Sequence, residues 1–243
     1  MKIALIGYGK MGKAIEEIAI QSGHEIVLKI DADNFQTEFT ADNIKQADVA
    51  IEFTSPHTAV ANIKKCFSWG IPVVSGSTGW LENWSEVVDF CKAENGCFLY
   101  ASNFSIGVNI FFELNKYLAR MMADKTGYDI SVEEIHHTQK RDAPSGTAIT
   151  IAEGIIENNK EKTSWVNEPS NEPHLLSIIS KRIDPAPGTH IVKYLSEIDD
   201  IEIIHTAHNR KGFATGAVKA AEYIVNKKGI FTMNDVLGLG LNV

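Results

Sequence analysis

Short apolar runs alternate with amphipathic stretches over the first hundred residues. The runs occupy residues 2–6, 26–30, 49–53, 71–75 and 97–101, and each is followed by glycine, serine, threonine or aspartate. Runs of this length, ended by turn-forming residues, are typical of strands that are buried on both faces. Apolar residues recur at helical spacing in the stretches between the runs. This alternation predicts an α/β domain with a parallel sheet.

The pattern changes after residue 104, where a long helical stripe begins. Its apolar residues recur at spacings of three and four, which predicts a helix that packs into a core rather than one that lines a ligand site. The stripe comprises Ile110, Phe111, Leu114, Tyr117, Leu118 and Met121.

Strand-like segments dominate the following hundred residues. A strand is predicted over residues 128–135, and the polar stretch 157–173 is predicted to be a long surface loop. Three further strand-like segments, at 175–183, 190–195 and 201–206, have no helix between them. The pattern predicts a second, α+β domain with a mostly antiparallel sheet, one face of which could cover a cleft or pair with another subunit. The alanine-rich helix that follows is expected to return to the first domain.

The first apolar run leads directly into the sequence G-Y-G-K-M-G. In a strand–loop–helix unit, the first glycine (Gly7) permits a tight turn, the second (Gly9) lets the backbone approach a pyrophosphate, and the third (Gly12) lets helix and strand pack closely. Asp31 ends the next strand, where an acid accepts hydrogen bonds from the adenosine ribose. The alternative is an ordinary strand–helix–strand crossover with a glycine turn. Because every part falls within 31 residues, the pattern predicts a Rossmann-type dinucleotide site.

The ribose end of this site gives mixed information about NADH and NADPH. Asp31 favours the free hydroxyls of NADH, and no arginine follows it to bind the extra phosphate of NADPH. Lys10 in the glycine loop and Lys13 in the helix could offset that phosphate. We therefore expect both cofactors to work, with a slight preference for NADH.

Small and hydroxyl residues follow the fourth and fifth apolar runs. Ligands of open parallel sheets bind outside the carboxyl ends of the strands, so these residues suit a nicotinamide ribose and carboxamide. The alternative is that they only form turns. They are Gly76, Ser77 and Thr78 after the fourth run, and Ala101, Ser102, Asn103 and Phe104 at the end of the fifth.

Residues 133–148 concentrate the candidate chemistry of the chain. His136, His137 and Lys140 precede a Pro-Ser-Gly turn, and an apolar helix follows. Imidazole and ammonium groups can bind an anion and transfer protons near neutral pH, and the N–H groups of a helix start add a positive dipole end. Alternatively, successive histidines on a strand point to opposite faces, so one could be structural, and the lysine could belong to a solvated loop. The stretch predicts a site that binds and protonates an acidic small molecule.

The chain is acidic, with 23 Lys and Arg against 31 Asp and Glu and a formal net charge of -8. Nucleic acids and anionic membranes attract positive surfaces, so neither is an expected partner. The local basic pair Lys140–Arg141 is therefore more informative. Three cysteines without a Cys-x-x-Cys pair indicate reduced thiols, and no metal site is predicted. No secretion signal and no membrane-spanning run is recognised, which is typical of a cytoplasmic protein.

Together these motifs resemble the dihydrodipicolinate reductase family, also called 4-hydroxy-tetrahydrodipicolinate reductases, nearly from end to end. The resemblance implies a Rossmann-type dinucleotide-binding domain of residues 1–104 and 209–243. It also implies a substrate-binding and tetramerisation domain of residues 105–208, within a cytoplasmic homotetramer. The motifs are the N-terminal glycine loop, G-S-T-G at 76–79, S-N-F-S at 102–105, E-x-x-H-H-x-x-K-x-D-A-P-S-G-T-A at 133–148 and H-N-R-K-x-F-A-x-G-A at 208–217.

The reaction implied by the resemblance is the NAD(P)H-dependent reduction of 4-hydroxy-tetrahydrodipicolinate, through dihydrodipicolinate, to tetrahydrodipicolinate. This step belongs to the pathway to diaminopimelate and lysine. Hydride would reach ring carbon 4, and His136 would donate the proton, with Lys140 as a second acid. The small dicarboxylate substrate would contact His137, Lys140, Ser145, Gly146 and Thr147. The nucleotide would contact Gly7, Tyr8, Gly9, Lys10, Met11, Gly12, Asp31, Gly76, Ser77, Thr78, Ala101, Ser102, Asn103 and Phe104.

Two other functions stay open at this point. Another nicotinamide dehydrogenase of aspartate-family metabolism would share the glycine loop, but it would have no need of an anion cradle at Lys140 and 145–147. A dinucleotide sensor without turnover would keep the loop and Asp31 but would need no proton donors. Cofactor preference also stays open, because the family often carries an arginine where Lys10 stands, and some members carry one where Ala32 stands.

Overall fold

The computed structural model describes residues 1–209 and 211–240. Contacts within the chain define two units: Met1–Ile106 with the described residues from Lys211 on, and the residues from Gly107 to Asn209. Both junctions lie two residues beyond the expected boundaries at 104/105 and 208/209. Arg210 of the H-N-R-K motif and residues 241–243 lie outside the described part of the chain.

Strands and helices alternate in the first unit, whereas the second unit ends in four successive strands. In chain order the strands are β1 Lys2–Ile6, β2 Glu25–Ile30, β3 Val49–Glu52, β4 Val73–Ser75, β5 Cys97–Tyr100, β6 Asp129–His136, β7 Ser164–Val166, β8 Leu175–Arg182, β9 Gly188–Leu195, β10 Asp200–Ala207 and β11 Gly229–Phe231. The helices are α1 Lys10–Gln21, α2 Phe35–Glu38, α3 Ala41–Ile44, α4 Pro56–Ser68, α5 Trp84–Ala93, α6 Ile106–Met122, α7 Gly146–Ile156, α8 Lys211–Ile224 and α9 Met233–Leu237, with a 3-10 turn at Leu81–Asn83.

The first unit is a parallel sheet in the order β11-β5-β4-β3-β1-β2, which confirms the predicted Rossmann-type sheet. The strands lie between two buried clusters, and the sheet is therefore apolar on both faces. One cluster contains Leu5 and Ile15 of β1 and α1 together with the alanines of α8. The other contains Ile6, Ile63 and Phe98. The alanine-rich helix α8 thus packs in the first unit, as expected.

The helix α4 begins directly after the loop that follows β3. Ser55 is its N-cap and Pro56 its first residue. Proline suits this position because its fixed backbone angle is helical and its missing N–H would have no partner in the first turn.

The second unit contains a five-stranded sheet in the order β10-β9-β6-β8-β7. The prediction of an α+β domain with a mostly antiparallel sheet is confirmed, and β7 and β8 join this sheet as parallel strands. β9 lies antiparallel to β6 and β10, whereas β8 is parallel to both β6 and β7. The reason is the connection: α7 carries the chain across the sheet between β6 and β7, and a helical crossover of this kind returns the next strand in parallel.

The two long helices of this unit cover one face of its sheet. Phe111 and Leu118 of α6 and Ile151 and Ile155 of α7 form a core with the apolar residues of β6, β8 and β9. The prediction of one buried stripe on α6 is therefore wrong in part. Both faces of the helix are apolar, and only one meets the sheet. The other face is exposed, and its residues are Ile110 (47%), Leu114 (46%), Tyr117 (37%) and Met121 (47%).

No helix among the described residues has the length and apolar character needed to cross a membrane.

Candidate active site

The inner face of β6 ends in two ionisable residues, Glu134 and His136. Side chains alternate along a strand, so these two residues share a face and His137 points to the other one. Glu134 is fully buried and His136 is 7% exposed, whereas His137 is half-buried. The structure therefore separates the two adjacent histidines, with the predicted proton donor on the inner side.

The Glu134 carboxylate is the centre of a buried polar cluster. Oε1 accepts hydrogen bonds from Ser180 Oγ at 2.7 Å and from Arg182 Nη2 at 3.1 Å. The Ser145 N–H donates to both oxygens at 3.1 and 3.2 Å, and Oε2 lies 3.3 Å from His136 Nδ1. Burial opposes ionisation, but these partners outweigh it and hold the pKa of the Glu134 carboxyl well below its usual range. The carboxylate is therefore a fixed negative charge at neutral pH.

His190, on β9, completes this cluster. Its ring meets that of His136 edge to face, with centroids 5.1 Å apart, and its Nε2 lies 3.3 Å from Ser145 Oγ. Burial, together with electrostatic repulsion by His136, His205 and Lys140, lowers the pKa of His190 to about 3, although Glu134 acts in the opposite direction. His190 is therefore neutral at physiological pH.

Arg182 also holds the turn that carries Lys140. Its guanidinium donates to the carbonyl oxygens of Lys140 at 3.3 Å and Asp142 at 2.6 Å. The Lys140 ammonium, in turn, donates to both Asp142 oxygens at 2.9 and 2.8 Å. A substrate carboxylate that binds Lys140 must therefore share this ammonium with the Asp142 carboxylate or displace that carboxylate.

The turn ends at the start of α7, as predicted. Pro144 follows a cis peptide bond, and the Ser145 hydroxyl accepts from the Ala148 N–H at 3.2 Å, which makes Ser145 the N-cap. Ser145 is 2% exposed, and its N–H is engaged by Glu134. It therefore shapes the turn, and Gly146 and Thr147 begin the helix. No acidic residue stands in the first turn, so the positive end of the helix dipole is not neutralised there.

Glu134, His136 and His190 also present three metal-type donor atoms within 4.8 Å of one another. The carboxylate is already bound by a guanidinium and a hydroxyl, which is a poor environment for a second cation. The arrangement instead fits proton transfer, because a fixed anion and a neutral imidazole both adjoin the His136 ring.

The glycine loop has the close contacts that the motif predicts. Gly7 has a φ of +94°, and a Cβ there would lie 2.0 Å from the Phe53 carbonyl oxygen. A Cβ on Gly12 would lie 2.4 Å from the Gly7 carbonyl oxygen. Gly9 differs, because a Cβ there would meet nothing within 4 Å. Gly9 is the N-cap of α1, so the structure leaves space beside the helix start, where a pyrophosphate binds in this motif.

The ribose end of the loop is exposed and charged. Asp31 follows β2, its Oδ1 accepts from the Ala32 N–H at 2.9 Å, and its own N–H donates to Asn34 at 2.8 Å. Lys10 and Lys13 are exposed at the start of α1, and Lys13 lies 5.9 Å from the centre of the Tyr8 ring. The Tyr8 hydroxyl donates to Glu16, which raises the pKa of Tyr8. Met11 is half-buried and packs against the core of the first unit.

A second buried carboxylate, Glu52, ties together the loops that follow β3 and β4. It accepts hydrogen bonds from Ser75 Oγ at 2.6 Å, Ser77 Oγ at 2.8 Å and the Thr54 N–H at 3.0 Å. A Cβ on Gly76 would lie 2.2 Å from the Phe53 ring. Ser77 thus supports the loop, whereas Thr78 is exposed at its tip.

The loop after β5 divides in the same way. Ala101, Asn103 and Phe104 are buried, and Ser102 is exposed. The Phe104 ring packs 5.6 Å from that of Phe53, and the Asn103 side chain accepts from the Ser105 N–H at 2.9 Å. Of the predicted nicotinamide contacts, Thr78 and Ser102 are therefore the ones with side chains exposed in this structure.

Sequence reasoning assigned no role to Glu134, His190, Arg182 or Glu52. A signal for Glu134 was present, because strand alternation places it on the same face as His136. The other three act through contacts between segments far apart in the chain, which no local pattern reveals.

The first unit is a parallel sheet with a glycine loop, and the α+β unit buries an imidazole–carboxylate cluster at a helix start. Together these features define a nicotinamide-nucleotide-dependent oxidoreductase. Residues 1–104 match the family described as dihydrodipicolinate reductase, N-terminus, and residues 107–237 match dihydrodipicolinate reductase, C-terminus. The chain belongs to the dihydrodipicolinate reductase family. This confirms the resemblance and favours it over the two alternatives, another dehydrogenase and a sensor without turnover.

Individual relatives agree with the family. The chain is 52% identical over 237 residues to a 4-hydroxy-tetrahydrodipicolinate reductase of Christiangramia forsetii, covering 98% of both chains. It is 39% identical over 203 residues to one of Methanoregula boonei, covering 80% of this chain and 76% of the relative. The structure of a dipicolinate-bound dihydrodipicolinate reductase from Paenisporosarcina sp. TG-14 shares the fold, with a TM-score of 0.78 at 21% identity over 96% of this chain and 97% of the other.

Proposed function

We propose that this chain reduces 4-hydroxy-tetrahydrodipicolinate, through dihydrodipicolinate, to tetrahydrodipicolinate in diaminopimelate and lysine biosynthesis. The observation that carries this proposal is the continuity of β6, the Lys140 turn and α7. One segment of 21 residues, from residue 136 to 156, joins a buried imidazole, an ammonium and a helix start that bears no acid. Those are the groups that a ring with two carboxylates and an acceptor carbon requires.

The chemistry needs one proton for each hydride. Loss of the ring hydroxyl as water leaves a conjugated imine, and a bound reduced nicotinamide supplies hydride to ring carbon 4. The electron pair of the broken double bond remains as an enamine, whose neighbouring carbon must take a proton. His136 holds that proton, and Lys140 serves as a second acid and as a partner for a carboxylate. The start of α7 at Gly146 and Thr147, shaped by Ser145, binds the second carboxylate, and His137, directly after the end of β6, adds a further contact.

The nucleotide contacts of the proposal follow the glycine loop and the strand ends. The pyrophosphate lies over Gly7–Gly12, the ribose hydroxyls contact Asp31, and the nicotinamide end contacts the loops after β4 and β5. We propose that NADH and NADPH both serve, with a slight preference for NADH, because Asp31 opposes the extra phosphate and Lys10 and Lys13 offset part of that repulsion. A preference for NADPH above about a hundredfold in kcat/KM, which is about 2.7 kcal/mol, would contradict this proposal.

We further propose a cytoplasmic homotetramer in which the outer face of the second sheet meets another copy. Ile204 of β10 is 57% exposed on that face, and Ile191 of β9 pairs with it in the ladder. Charged pairs flank them, such as Lys193 and Glu202 at 3.5 Å. Sedimentation equilibrium tests the proposal: the mass expected is four times 26.8 kDa, and a monomer at micromolar concentration would overturn it.

A coupled assay tests the proposed reaction directly. The product of dihydrodipicolinate synthase is supplied with NADH or NADPH, and loss of reduced-nicotinamide absorbance is followed. Aspartate with NAD(P)+ and aspartate semialdehyde with each cofactor serve as competing substrates. We expect turnover only with the synthase product. Turnover with aspartate or its semialdehyde alone would assign the chain to another reaction.

A further inference from the structure

The buried Glu134 carboxylate lies next to the proposed proton donor, and the proposed function gives it no role of its own. It is two residues from His136 on the same strand face and is fully buried. Burying a carboxylate is costly unless charged and hydrogen-bonding partners surround it. Ser180, Arg182 and the Ser145 N–H supply them from β8 and the start of α7. The carboxylate is therefore held in one orientation by elements on both sides of it.

That orientation leaves one oxygen close to one ring nitrogen. Oε1 is occupied by Ser180 and Arg182, and Oε2 lies 3.3 Å from His136 Nδ1, a buried nitrogen that is not aligned for a hydrogen bond in this structure. The opposite ring nitrogen, Nε2, faces Gly188 of β9, where an added Cβ would lie only 3.1 Å away. A side chain at position 188 would therefore crowd Nε2. The two nitrogens of His136 thus have different surroundings: an anion at Nδ1 and a glycine at Nε2.

We propose that Glu134 is a positioning residue that keeps a proton on His136 Nδ1 and so makes Nε2 the nitrogen that protonates the substrate. The inference rests on the proposed function, in which His136 is the acid. A carboxylate that holds an imidazole in one tautomer and stabilises its cation is a recurrent device in enzymes with acid–base histidines. In this chain the carboxylate comes from the same strand as the histidine.

The neighbouring groups do not compete for this role. His190 lies 3.9 Å from Oε2 but is held neutral by its burial, so it brings no charge to the carboxylate. Arg182 binds Oε1, on the side away from the imidazoles. The charged and titratable groups around His136 are Glu134 on its own strand, Arg182 on β8, His190 on β9 with His205 beyond it on β10, and Lys140 with Asp142 in the turn before α7.

The charge of Glu134 predicts a shift in the pH profile. An acid must be protonated to act, so kcat falls as the pH rises through the ionisation of the donor. Glu134→Gln keeps the size of the side chain and an acceptor for Ser145 and Ser180 but removes the charge that stabilises the imidazolium. The alkaline fall of kcat should move to lower pH by about one unit or more. At pH 8, kcat should be at least about tenfold lower than in the unaltered enzyme.

Glu133→Gln is the matched control. Glu133 precedes Glu134 on the same strand but points to the opposite face, where it pairs with Lys181 at 2.8 Å. Its variant makes the same change of charge without touching the cluster, so the pH profile should coincide with that of the unaltered enzyme. A general loss of stability or assembly would lower kcat at every pH without changing the pH at which kcat begins to decrease.

The experiment compares kcat from pH 6 to 10 in the coupled assay for the unaltered enzyme, Glu134→Gln, Glu133→Gln and His136→Gln. A shifted fall in Glu134→Gln alone supports the proposal, and coincident profiles in both glutamate variants overturn it. If the unaltered enzyme shows no turnover, or if His136→Gln keeps its kcat, then it is the proposed function that fails. Nitrogen-15 NMR of the histidine rings needs no variant at all. A protonated Nδ1 on neutral His136 supports the proposal, and a protonated Nε2 with bare Nδ1 overturns it.

Discussion

Oε2 of Glu134 lies 3.3 Å from Nδ1 of His136, and the two residues are neighbours on the inner face of one strand. The same carboxylate accepts the Ser145 N–H at the start of α7. One buried charge therefore fixes both the proposed proton donor and the turn that is proposed to hold the substrate's carboxylate. The proposed binding and protonation groups therefore share the contacts of Glu134, so a change to this residue should disturb both.

Gly9 and Gly12 should respond differently to alanine. Gly9→Ala places a Cβ where no protein atom lies within 4 Å, so the melting temperature should be unchanged while nucleotide affinity falls, because the Cβ occupies the space for the pyrophosphate. Gly12→Ala forces a Cβ to within 2.4 Å of the Gly7 carbonyl oxygen and should also lower the melting temperature. Fluorescence titration with NADH and thermal unfolding check both. Normal NADH affinity in Gly9→Ala would show that the pyrophosphate does not bind at this loop.

Lys140→Ala should damage both kinetic parameters. The ammonium is proposed to bind a carboxylate and to serve as a second acid, so KM should rise and kcat should fall, each by about tenfold or more. Steady-state kinetics in the coupled assay give both values. Lys125→Ala is the matched control, since Lys125 is an exposed lysine of the same unit, with its ammonium on Asp124. Intact kcat/KM in Lys140→Ala would take this residue out of the site.

As the pH falls, the effect of His190 on stability should begin at a higher pH than the effect of Glu134. The pKa of His190 is about 3 in the folded chain against an ordinary 6.5, so below pH 6.5 the unfolded chain binds a proton that the folded chain does not. Stability then falls as the pH falls, by up to about 1.4 kcal/mol per pH unit. Glu134 has a lowered pKa, so its contribution is present above the ordinary carboxyl pKa and is lost below it.

His190→Asn removes the first of these effects and keeps the second. Urea unfolding at pH 7 and pH 5 should show a smaller loss of stability in the variant than in the unaltered protein. His205, whose pKa burial also lowers, contributes equally to both proteins. An identical loss in the two proteins would show that His190 is not held neutral by the fold.

The parts of the fold that are local in sequence were predictable, and those that depend on distant contacts were not. The β1–α1–β2 unit follows from a buried run, three glycines and an acid within 31 residues, and each acts on its immediate neighbours. The stripe on α6 shows the limit, because helical spacing gives two apolar faces and only packing selects the one that holds Phe111 and Leu118. Glu134 is the same case in the site: its partners Ser180 and Arg182 lie 46 and 48 residues away.

The most direct test of the account is the kcat of His136→Gln in the coupled assay with the dihydrodipicolinate synthase product. The variant keeps a polar side chain on the inner face of β6 but cannot donate an imidazolium proton. We predict that kcat falls by about 10²- to 10⁴-fold, the usual contribution of a general acid, with KM close to that of the unaltered enzyme. An unchanged kcat, or a loss confined to KM, would contradict the assignment of His136 as the proton donor.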